Sequence, residues 1–146
     1  MSKCIWFDMD GTIADLYGVE NWLNMLVNSD PTPYAVAAPL LRLSQLARLL
    51  NRLTAQGWQI GVISWLSKES TAEYDEAVTA AKLTWLARHL PSVKWAEIKI
   101  VAYGTNKREA CGDGILFDDE ERNRNEWGEN AYAPEEIIKV LSSLAA

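Results

Sequence analysis

The sequence predicts an α/β protein in which helices cover a mostly parallel sheet. At three places along the chain, a short apolar run typical of a buried strand ends at a polar residue. These are residues 3–7 before Asp8, residues 58–63 before Ser64 and residues 114–117 before Asp118. Helical patterns separate the runs, and strands that alternate with helices are typical of a parallel sheet with helices on both faces. The 146 residues suit one domain with a single core.

The first half of the chain is predicted to contain two helices between its two strands. Residues 18–28 have a helical pattern, and the proline-containing stretch 28–33 indicates a break after it. A longer helix is predicted over residues 39–56, because its leucines recur in steps of three and four and therefore share one face. These leucines are Leu40, Leu43, Leu46, Leu50 and Leu53. Gly57 suits the position just after the last helical turn.

The second half of the chain is predicted to contain two further helices and two strands. Ser70 and Glu73 fit a capping box, which predicts a helix from residue 70 to about residue 90. A strand is predicted over residues 98–103 ahead of the strand that ends at Asp118. Pro134 suits the first turn of a last helix. We expect loops between these elements, at residues 104–107 and in the polar run that follows Asp119.

Composition and charge argue against several classes of protein. The hydrophobic fraction of 49% is typical of globular proteins, and no apolar run approaches the roughly 20 residues that a membrane-spanning helix needs. The net charge of −6 opposes binding to extended nucleic acid, which normally requires a basic face. No signal peptide is recognisable, so we expect a cytoplasmic protein. Cys4 and Cys111 are too few for a disulfide framework, and the oligomeric state stays open.

The residues that follow the first strand are suited to holding a cation. Asp8 and Asp10 stand two positions apart, so an extended chain places both carboxylates on the same side. Like charges this close are costly unless they share a cation or a proton, and Mg²⁺ is a hard cation that prefers oxygen ligands. Because ligands bind at the carboxyl ends of the strands in open parallel sheets, Asp8, Ser64 and Asp118 indicate one common rim.

The run Asp8-Met9-Asp10-Gly11-Thr12 resembles the signature of the haloacid dehalogenase-like phosphohydrolases. Ser64 matches the Ser or Thr that ends the next core strand in that family, and the pair Asp118-Asp119 matches its last motif. Lys107 is the best match to the family's lysine, with Lys99 and Arg108 as alternatives. The resemblance spans residues 4–119.

The resemblance implies a fold as well as an activity. The expected fold is a Rossmann-like three-layer sandwich with a mostly parallel central sheet, formed by a single domain of residues 1–146. Residues 15–38 leave room for a small helical cap insert only, and residues 64–98 leave no room for a large one. We therefore expect a fairly open site in an enzyme that hydrolyses phosphoric monoesters.

The resemblance also implies a role for each motif residue. Asp8 is expected to attack phosphorus and form an aspartyl-phosphate, while Asp10 protonates the leaving oxygen and later deprotonates the attacking water. Thr12, Ser64 and Lys107 are expected on the substrate side, where Ser64 binds phosphoryl oxygens and Lys107 neutralises their charge. The expected cofactor is Mg²⁺, held by Asp8, the backbone carbonyl of Asp10, Asp118 and Asp119.

Aromatic residues near the rim bear on the substrate. Tyr17 and Trp22 lie in the expected cap, Trp65 directly follows Ser64, and Trp127 follows the acidic pair. Aromatic rings can stack on nucleobases, and the motif spacing is similar to that of the 5'(3')-deoxyribonucleotidases. We therefore expect a small phosphorylated substrate such as a nucleotide, with Trp65 in contact with it. The alternatives are a phosphatase for nucleic-acid ends and a non-catalytic module that binds phosphate or a partner.

Overall fold

The central sheet of the computed structural model, which describes residues 2–146, has five strands that all run parallel. In chain order the strands are β1 (Cys4–Phe7), β2 (Ala14–Asp15), β3 (Ala38–Pro39), β4 (Gln59–Trp65), β5 (Trp95–Val101), β6 (Ile115–Phe117) and β7 (Ala131–Tyr132). The central sheet has the order β5-β4-β1-β6-β7, and β2 pairs with β3 in a separate antiparallel ribbon.

Seven α-helices occur among the described residues. They are α1 (Trp22–Val27), α2 (Thr32–Val36), α3 (Leu43–Ala55), α4 (Ala72–His89), α5 (Lys107–Cys111), α6 (Glu121–Trp127) and α7 (Ile137–Ala145). Short 3₁₀ turns cover Leu16–Gly18 and Pro134–Glu136. Within residues 2–146, no helix combines the length and the apolar character needed to cross a membrane.

The middle strand of the sheet separates two cores. Ile5 and Phe7 of β1 belong to the larger core, together with residues of α3, α4 and α7. Trp6, which points to the opposite face, packs with Trp127 and with residues of α5 in a smaller core. Since successive side chains of a strand alternate between faces, β1 is buried on both sides by helices. The predicted three-layer α/β sandwich with a parallel central sheet is therefore confirmed.

The strand order determines where a ligand can enter. From β1 the chain first builds β4 and β5 on one side and then returns to build β6 and β7 on the other side. This reversal opens a crevice at the carboxyl ends of β1 and β6, as in other open α/β sheets. Asp8 directly follows β1 and Asp118 directly follows β6, so both carboxylates stand at this crevice.

The segment between β2 and β3 differs in detail from the sequence prediction. The helix predicted over 18–28 is shorter and spans Trp22–Val27. The predicted break contains a helix of its own, Thr32–Val36, because Pro33 occupies the first turn, where its missing N–H costs nothing. The helix predicted from residue 39 starts only at Leu43, since Ala38–Pro39 pairs with β2 instead.

The second half of the chain contains two helices over residues that were expected to be loops, an edge strand that was not predicted, and a different cap. Residues 107–111 and 121–127 form helices α5 and α6, and β7 adds an edge strand. The N-cap of α4 is Thr71, whose hydroxyl accepts a hydrogen bond from the Tyr74 N–H, and not Ser70. The Ser70 hydroxyl instead lies within hydrogen-bond distance of two acceptors, the Ser67 carbonyl and the Asp75 carboxylate.

Candidate active site

The motif residues surround a cavity of about 310 Å³ at the carboxyl ends of the central strands. Asp8, Asp10 and Asp118 line it together with Lys107, although they are far apart in the sequence. Ser64 lies in β4, one residue before the strand ends, and its side chain is fully buried beside this group. The structure therefore brings the residues matched by the four sequence motifs to one place.

Lys107 connects two of the carboxylates. Its Nζ donates hydrogen bonds to Asp8 Oδ1 at 2.9 Å and to Asp118 Oδ2 at 2.7 Å, and its side chain is only 2% exposed. Burial opposes the positive charge, but the charges of Asp8 and Asp118 outweigh it and raise the pKa of Lys107 above its usual value. The ammonium group is thus held in its charged form beside Asp8.

The two alternatives to Lys107 lie elsewhere. Lys99 Nζ donates to the Ala110 carbonyl at 2.7 Å and lies over the ring of Trp6, on the α5 side of the sheet. Arg108 donates to the carbonyl of Trp127 at 2.7 Å. Lys107 is therefore the one of these three cations that contacts Asp8 in the described part of the chain.

Three carboxylates of this group are close enough to share a metal ion. One ligand atom from each of Asp8, Asp118 and Asp119 lies within 4.8 Å of the others. Burial and the negative charge of Asp8 raise the pKa of Asp118 to about 6. Burial, together with a hydrogen bond to Asp8 and that residue's charge, raises the pKa of Asp119 to about 8. Burial and the repulsion between these carboxylates thus outweigh the lowering of the Asp118 pKa by Lys107.

A buried amide beside this cluster supports the fit to a hard cation. Asn123 in α6 is 3% exposed and lines the cavity, and its Nδ2 donates to Asp118 Oδ2 at 3.1 Å. Its Oδ1 is buried and has no hydrogen-bond partner among residues 2–146. A buried acceptor without a partner next to three carboxylate oxygens matches the oxygen-rich coordination that Mg²⁺ requires. Nothing in the motif spacing indicated Asn123, because the run after Asp119 was expected to be a loop.

Thr12 has a different position from the one expected. The resemblance placed it with the substrate-binding residues, but only 1% of it is exposed and it does not line the cavity that holds Asp8. Thr12 Oγ1 lies 2.9 Å from Asp8 Oδ2 and 3.3 Å from Asp119 Oδ1, and it accepts a hydrogen bond from the Asp119 N–H at 3.1 Å. The hydroxyl thus supports Asp8 and Asp119.

A second buried lysine, Lys82, belongs to the site and was missed by the sequence analysis. It lies in the middle of α4 with none of its surface exposed, and its Nζ donates to Ser64 Oγ at 2.7 Å and to the Trp65 carbonyl at 2.9 Å. The same Nζ lies 3.1 Å from Asp10 Oδ2. A signal was available, because Lys82 stands on the same helical face as the apolar residues Val78 and Trp85.

Asp10 is held apart from the other carboxylates by this lysine. Its side chain is 16% exposed, and the metal-binding group of three carboxylates does not include it. Burial raises the pKa of Asp10, and the charge of Asp8 adds to this effect, whereas Lys82 lowers the pKa. The pKa of this carboxyl group is therefore raised from its ordinary value while the group remains in contact with the cavity.

Aromatic and aliphatic side chains form the rest of the cavity wall. The segment between β2 and β3 contributes the ring pair Tyr17–Trp22, whose centroids are 5.0 Å apart. The carboxyl ends of β4 and β5 contribute the pair Trp65–Tyr103, also at 5.0 Å. The remaining apolar lining residues are Leu16, Leu23, Leu26, Tyr34 and Leu66. The segment expected to form a cap thus contacts the same cavity as Asp8.

Trp65 is fixed by several neighbours, whereas Trp127 lies away from the cavity. Trp65 Nε1 donates to the Thr105 carbonyl at 2.9 Å, and both Lys107 and Arg122 lie over its ring. Trp127 is 1% exposed, packs in the smaller core and donates its indole N–H to the Gly114 carbonyl. The expectation that Trp127 lies near the rim is therefore wrong, because its ring is buried in the smaller core.

Comparisons with known proteins support the fold. No protein-family model matches the sequence, and no match was found among curated proteins. Among solved structures, D,D-heptose 1,7-bisphosphate phosphatase from Burkholderia thailandensis superimposes with a TM-score of 0.60 over 99% of this chain and 99% of that chain, at 14% identity. At this identity the likeness shows that the two chains share a fold.

Proposed function

We propose that this protein is a Mg²⁺-dependent phosphatase that hydrolyses a small phosphate monoester, with Asp8 as the nucleophile. One observation carries the proposal: Asp8 lies at the crevice of the sheet, in contact with the ammonium group of Lys107 and close to the carboxylates of Asp118 and Asp119. Phosphoryl transfer requires positioning and charge neutralisation above all, and these groups provide both. The shared fold with a solved phosphatase is consistent with this activity.

In the first step, a carboxylate oxygen of Asp8 attacks phosphorus, and the bond between phosphorus and the leaving oxygen breaks. Asp10 gives its proton to that oxygen, so the alcohol leaves neutral and an aspartyl-phosphate remains. Lys107 stabilises the negative charge of the transferring group from its position 2.9 Å from Asp8. Ser64 is placed beside Asp10 through Lys82 and offers its hydroxyl to a phosphoryl oxygen.

In the second step, a water molecule attacks phosphorus and the bond between phosphorus and Asp8 breaks. Asp10, now a carboxylate, takes a proton from the water, so inorganic phosphate leaves and both aspartates return to their starting states. Mg²⁺ would be held by Asp8, Asp118 and Asp119, with the Asp10 carbonyl as a further expected ligand, and it would supply positive charge to the phosphoryl group. Thr12 keeps Asp8 oriented throughout.

The cavity wall favours a substrate whose alcohol portion is aromatic or apolar. The phosphate end of the cavity is charged, whereas the walls beyond it consist of the pairs Tyr17–Trp22 and Trp65–Tyr103 and of leucine side chains. A nucleotide combines a phosphate with a flat base that can stack on such rings. We therefore propose a nucleotide as the substrate class within this activity.

The test is hydrolysis of an aryl phosphate with and without Mg²⁺, followed by a panel of nucleotides, sugar phosphates and 3'-phosphorylated oligonucleotides. Asp8→Asn should abolish turnover, because an amide is a poor nucleophile and brings no charge to the metal. Glu97→Gln, the same chemical change at an exposed residue of β5, is the control and should keep wild-type activity.

Each outcome of that test is informative. Near-wild-type activity of Asp8→Asn would contradict the covalent mechanism. Turnover confined to oligonucleotides would indicate a phosphatase for nucleic-acid ends. Phosphate binding without any turnover would indicate a binding module, and the proposed activity would then be wrong.

A further inference from the structure

The buried ammonium group of Lys82 is the strongest feature of the site to which neither the motifs nor the fold assigns a purpose. A buried lysine is costly unless its charge is paired and its hydrogen bonds are made. Lys82 has no exposed surface and stands in the middle of a helix, where an apolar residue would complete the face formed by Val78 and Trp85. Its placement therefore calls for an explanation beyond packing.

The contacts of Lys82 account for all three hydrogens of its ammonium group. Two go to Ser64 Oγ and to the Trp65 carbonyl, at 2.7 and 2.9 Å, and these groups belong to the rigid end of β4. The third faces Asp10 Oδ2 at 3.1 Å. The ring of Tyr34 lies 5.1 Å from Nζ and closes the remaining side. Because this ammonium group is buried among protein groups and does not line the cavity, Lys82 can act on a substrate only through its neighbours.

We infer that Lys82 is a positioning residue, which fixes the carboxyl group of Asp10 at the distance and orientation needed for proton transfer to the leaving oxygen. This inference rests on the proposed function, in which Asp10 is the acid and base. Asp10 lies three residues beyond β1, in an isolated bridge with Ala14 just ahead of the turn at residues 11–13. Its side chain is held from the neighbouring strand, because one ammonium group connects the Asp10 carboxylate to the carbonyl at the end of β4.

The first measurement compares two substrates that differ in their leaving group. Phenyl phosphate needs a proton on its leaving oxygen, whereas 4-nitrophenyl phosphate releases a stable anion without one. Lys82→Met removes the ammonium group but keeps the length of the side chain. It should lower kcat/KM, which reports the phosphorylation of Asp8 and not the later attack of water, by roughly 100-fold on phenyl phosphate, the range of a lost general acid. The loss of kcat/KM on 4-nitrophenyl phosphate should be at least about tenfold smaller. Asp10→Asn should show the same larger loss on phenyl phosphate than on 4-nitrophenyl phosphate.

The second measurement is a double-mutant cycle on phenyl phosphate. If Lys82 acts through Asp10, then Lys82→Met should cost less than about tenfold once Asp10→Asn is already present, because the group that it positions is gone. Lys139→Met, at an exposed residue of α7, is the control and should leave the hydrolysis rates of both substrates unchanged. Multiplicative losses in the cycle, or equal losses on both substrates, would overturn the inference, since a purely structural role predicts them.

Folding is followed by tryptophan fluorescence during thermal unfolding. Lys82→Met could fail to fold because Asp10 is left unpaired. In that case the double variant Lys82→Met/Asp10→Asn, which has no buried charge at this pair, is compared with Asp10→Asn instead. Failure of this charge-free variant to fold as well would overturn the inference, because the lysine would then serve the core. If the wild-type protein hydrolyses neither aryl phosphate, the proposed function itself is wrong and the inference falls with it. If Lys82→Met slows both aryl phosphates by the same factor, the inference about Lys82 is wrong but the proposed function still stands.

Discussion

The two carboxylate oxygens of Asp8 have different partners. Oδ1 accepts a hydrogen bond from Lys107 and Oδ2 accepts one from Thr12, both at 2.9 Å. Side chains held from two sides lose little freedom when they react, so this pair of contacts prepares Asp8 for attack in a single orientation. Thr12 reaches Asp119 with the same hydroxyl and so couples the nucleophile to the acidic pair after β6.

Replacement of Thr12 by Val should test this support at the level of one hydroxyl. The change keeps the shape of the side chain but leaves the buried N–H of Asp119 without its acceptor, which costs about 1–3 kcal/mol of stability. It should also lower kcat by roughly tenfold, since a lost positioning hydrogen bond is worth about 1 kcal/mol or more. Thr12→Ser keeps the hydroxyl and should retain most of the stability and most of kcat. Unfolding and steady-state kinetics measure the two effects, and a Thr12→Val variant with wild-type kcat would contradict the orienting role.

The sequence indicated the residues of the site whose spacing is local, but not those brought in by packing. Asp8 and Asp10 lie in one short run, and Asp118 follows an apolar strand, so their common rim follows from strand order. Lys82 and Asn123 reach the same rim from helix interiors. Their approach depends on how α4 and α6 rotate against the sheet, and this rotation is a tertiary property that motif spacing does not contain.

At the level of elements, the contact between β1 and β4 depends on a missing side chain. A Cβ atom built on Gly61 would lie 2.6 Å from Cζ3 of the Trp6 ring on the neighbouring strand. Trp6 is 5% exposed and belongs to the smaller core, so its ring has little room to move. The glycine therefore allows a large aromatic side chain to lie flat across the sheet.

Gly61→Ala should consequently destabilise the protein by about 1–3 kcal/mol, the usual cost of overpacking a well-filled core. The expected fall in melting temperature is about 2–4 °C per kcal/mol for a chain of this size. Trp6→Leu in the same chain removes the ring that the new methyl group would meet, so the alanine should cost little in that background. A loss of equal size in both backgrounds would show that the ring contact is not the cause.

The segment from β2 to β3 provides the second prediction at this level, which concerns substrate choice. Tyr17 lines the cavity and packs edge-on against Trp22. If its ring stacks on a base, Tyr17→Ala should raise KM for a nucleotide by roughly 5- to 150-fold and should barely affect a small sugar phosphate. Tyr17→Phe keeps the ring and should behave like the wild type.

Trp65→Ala is expected to raise KM for the nucleotide too, but Trp65 also holds Thr105 and packs beside Lys107, so Tyr17 gives the cleaner comparison. Steady-state kinetics on both substrates is the measurement. Equal losses on the two substrates for Tyr17→Ala would mean that the ring is structural, and the nucleotide proposal would lose its main support.

The long elements were predictable from periodicity and the short ones were not. The helix over 43–55 presents Leu46, Leu50 and Leu53 on one buried face, as the leucine spacing predicted. Helices α2 and α5 have five residues each, which is too short for a helical period to show. Their formation depends on a proline in the first turn of α2 and on Asn106, which caps α5 through the Glu109 N–H.

Considered as a whole, the molecule has a net charge of −6 and concentrates part of its negative charge at the end of the sheet. Asp8, Asp118 and Asp119 meet there with one ammonium group between two of them. In the metal-free protein this cluster opposes folding when all its carboxylates are ionised. The same cluster attracts a divalent cation, so metal affinity and stability are linked.

The pH dependence of stability follows from this linkage. In the folded, metal-free protein the pKa of Asp118 is raised to about 6 and that of Asp119 to about 8, from an ordinary value of 3.8. At pH values between the ordinary pKa and these raised pKa values, the folded state retains protons that the unfolded state has released. The stabilising contribution of these two groups is therefore complete below about pH 4 and is lost as the pH rises through about 6 and about 8.

Mg²⁺ should reverse this loss, because it binds the deprotonated carboxylates of the folded state. The increase in melting temperature on addition of about 5 mM Mg²⁺ should thus be larger at about pH 8 than at about pH 5, where protons compete for the same oxygens. A metal concentration about 100 times the dissociation constant contributes about 2.7 kcal/mol. Asp119→Asn removes the group with the highest of these pKa values, so the metal-free variant should lose less stability than the wild type as the pH rises. Melting temperatures with and without Mg²⁺ at both pH values are the measurement. An equal increase in melting temperature at the two pH values would contradict a metal site built from these carboxylates.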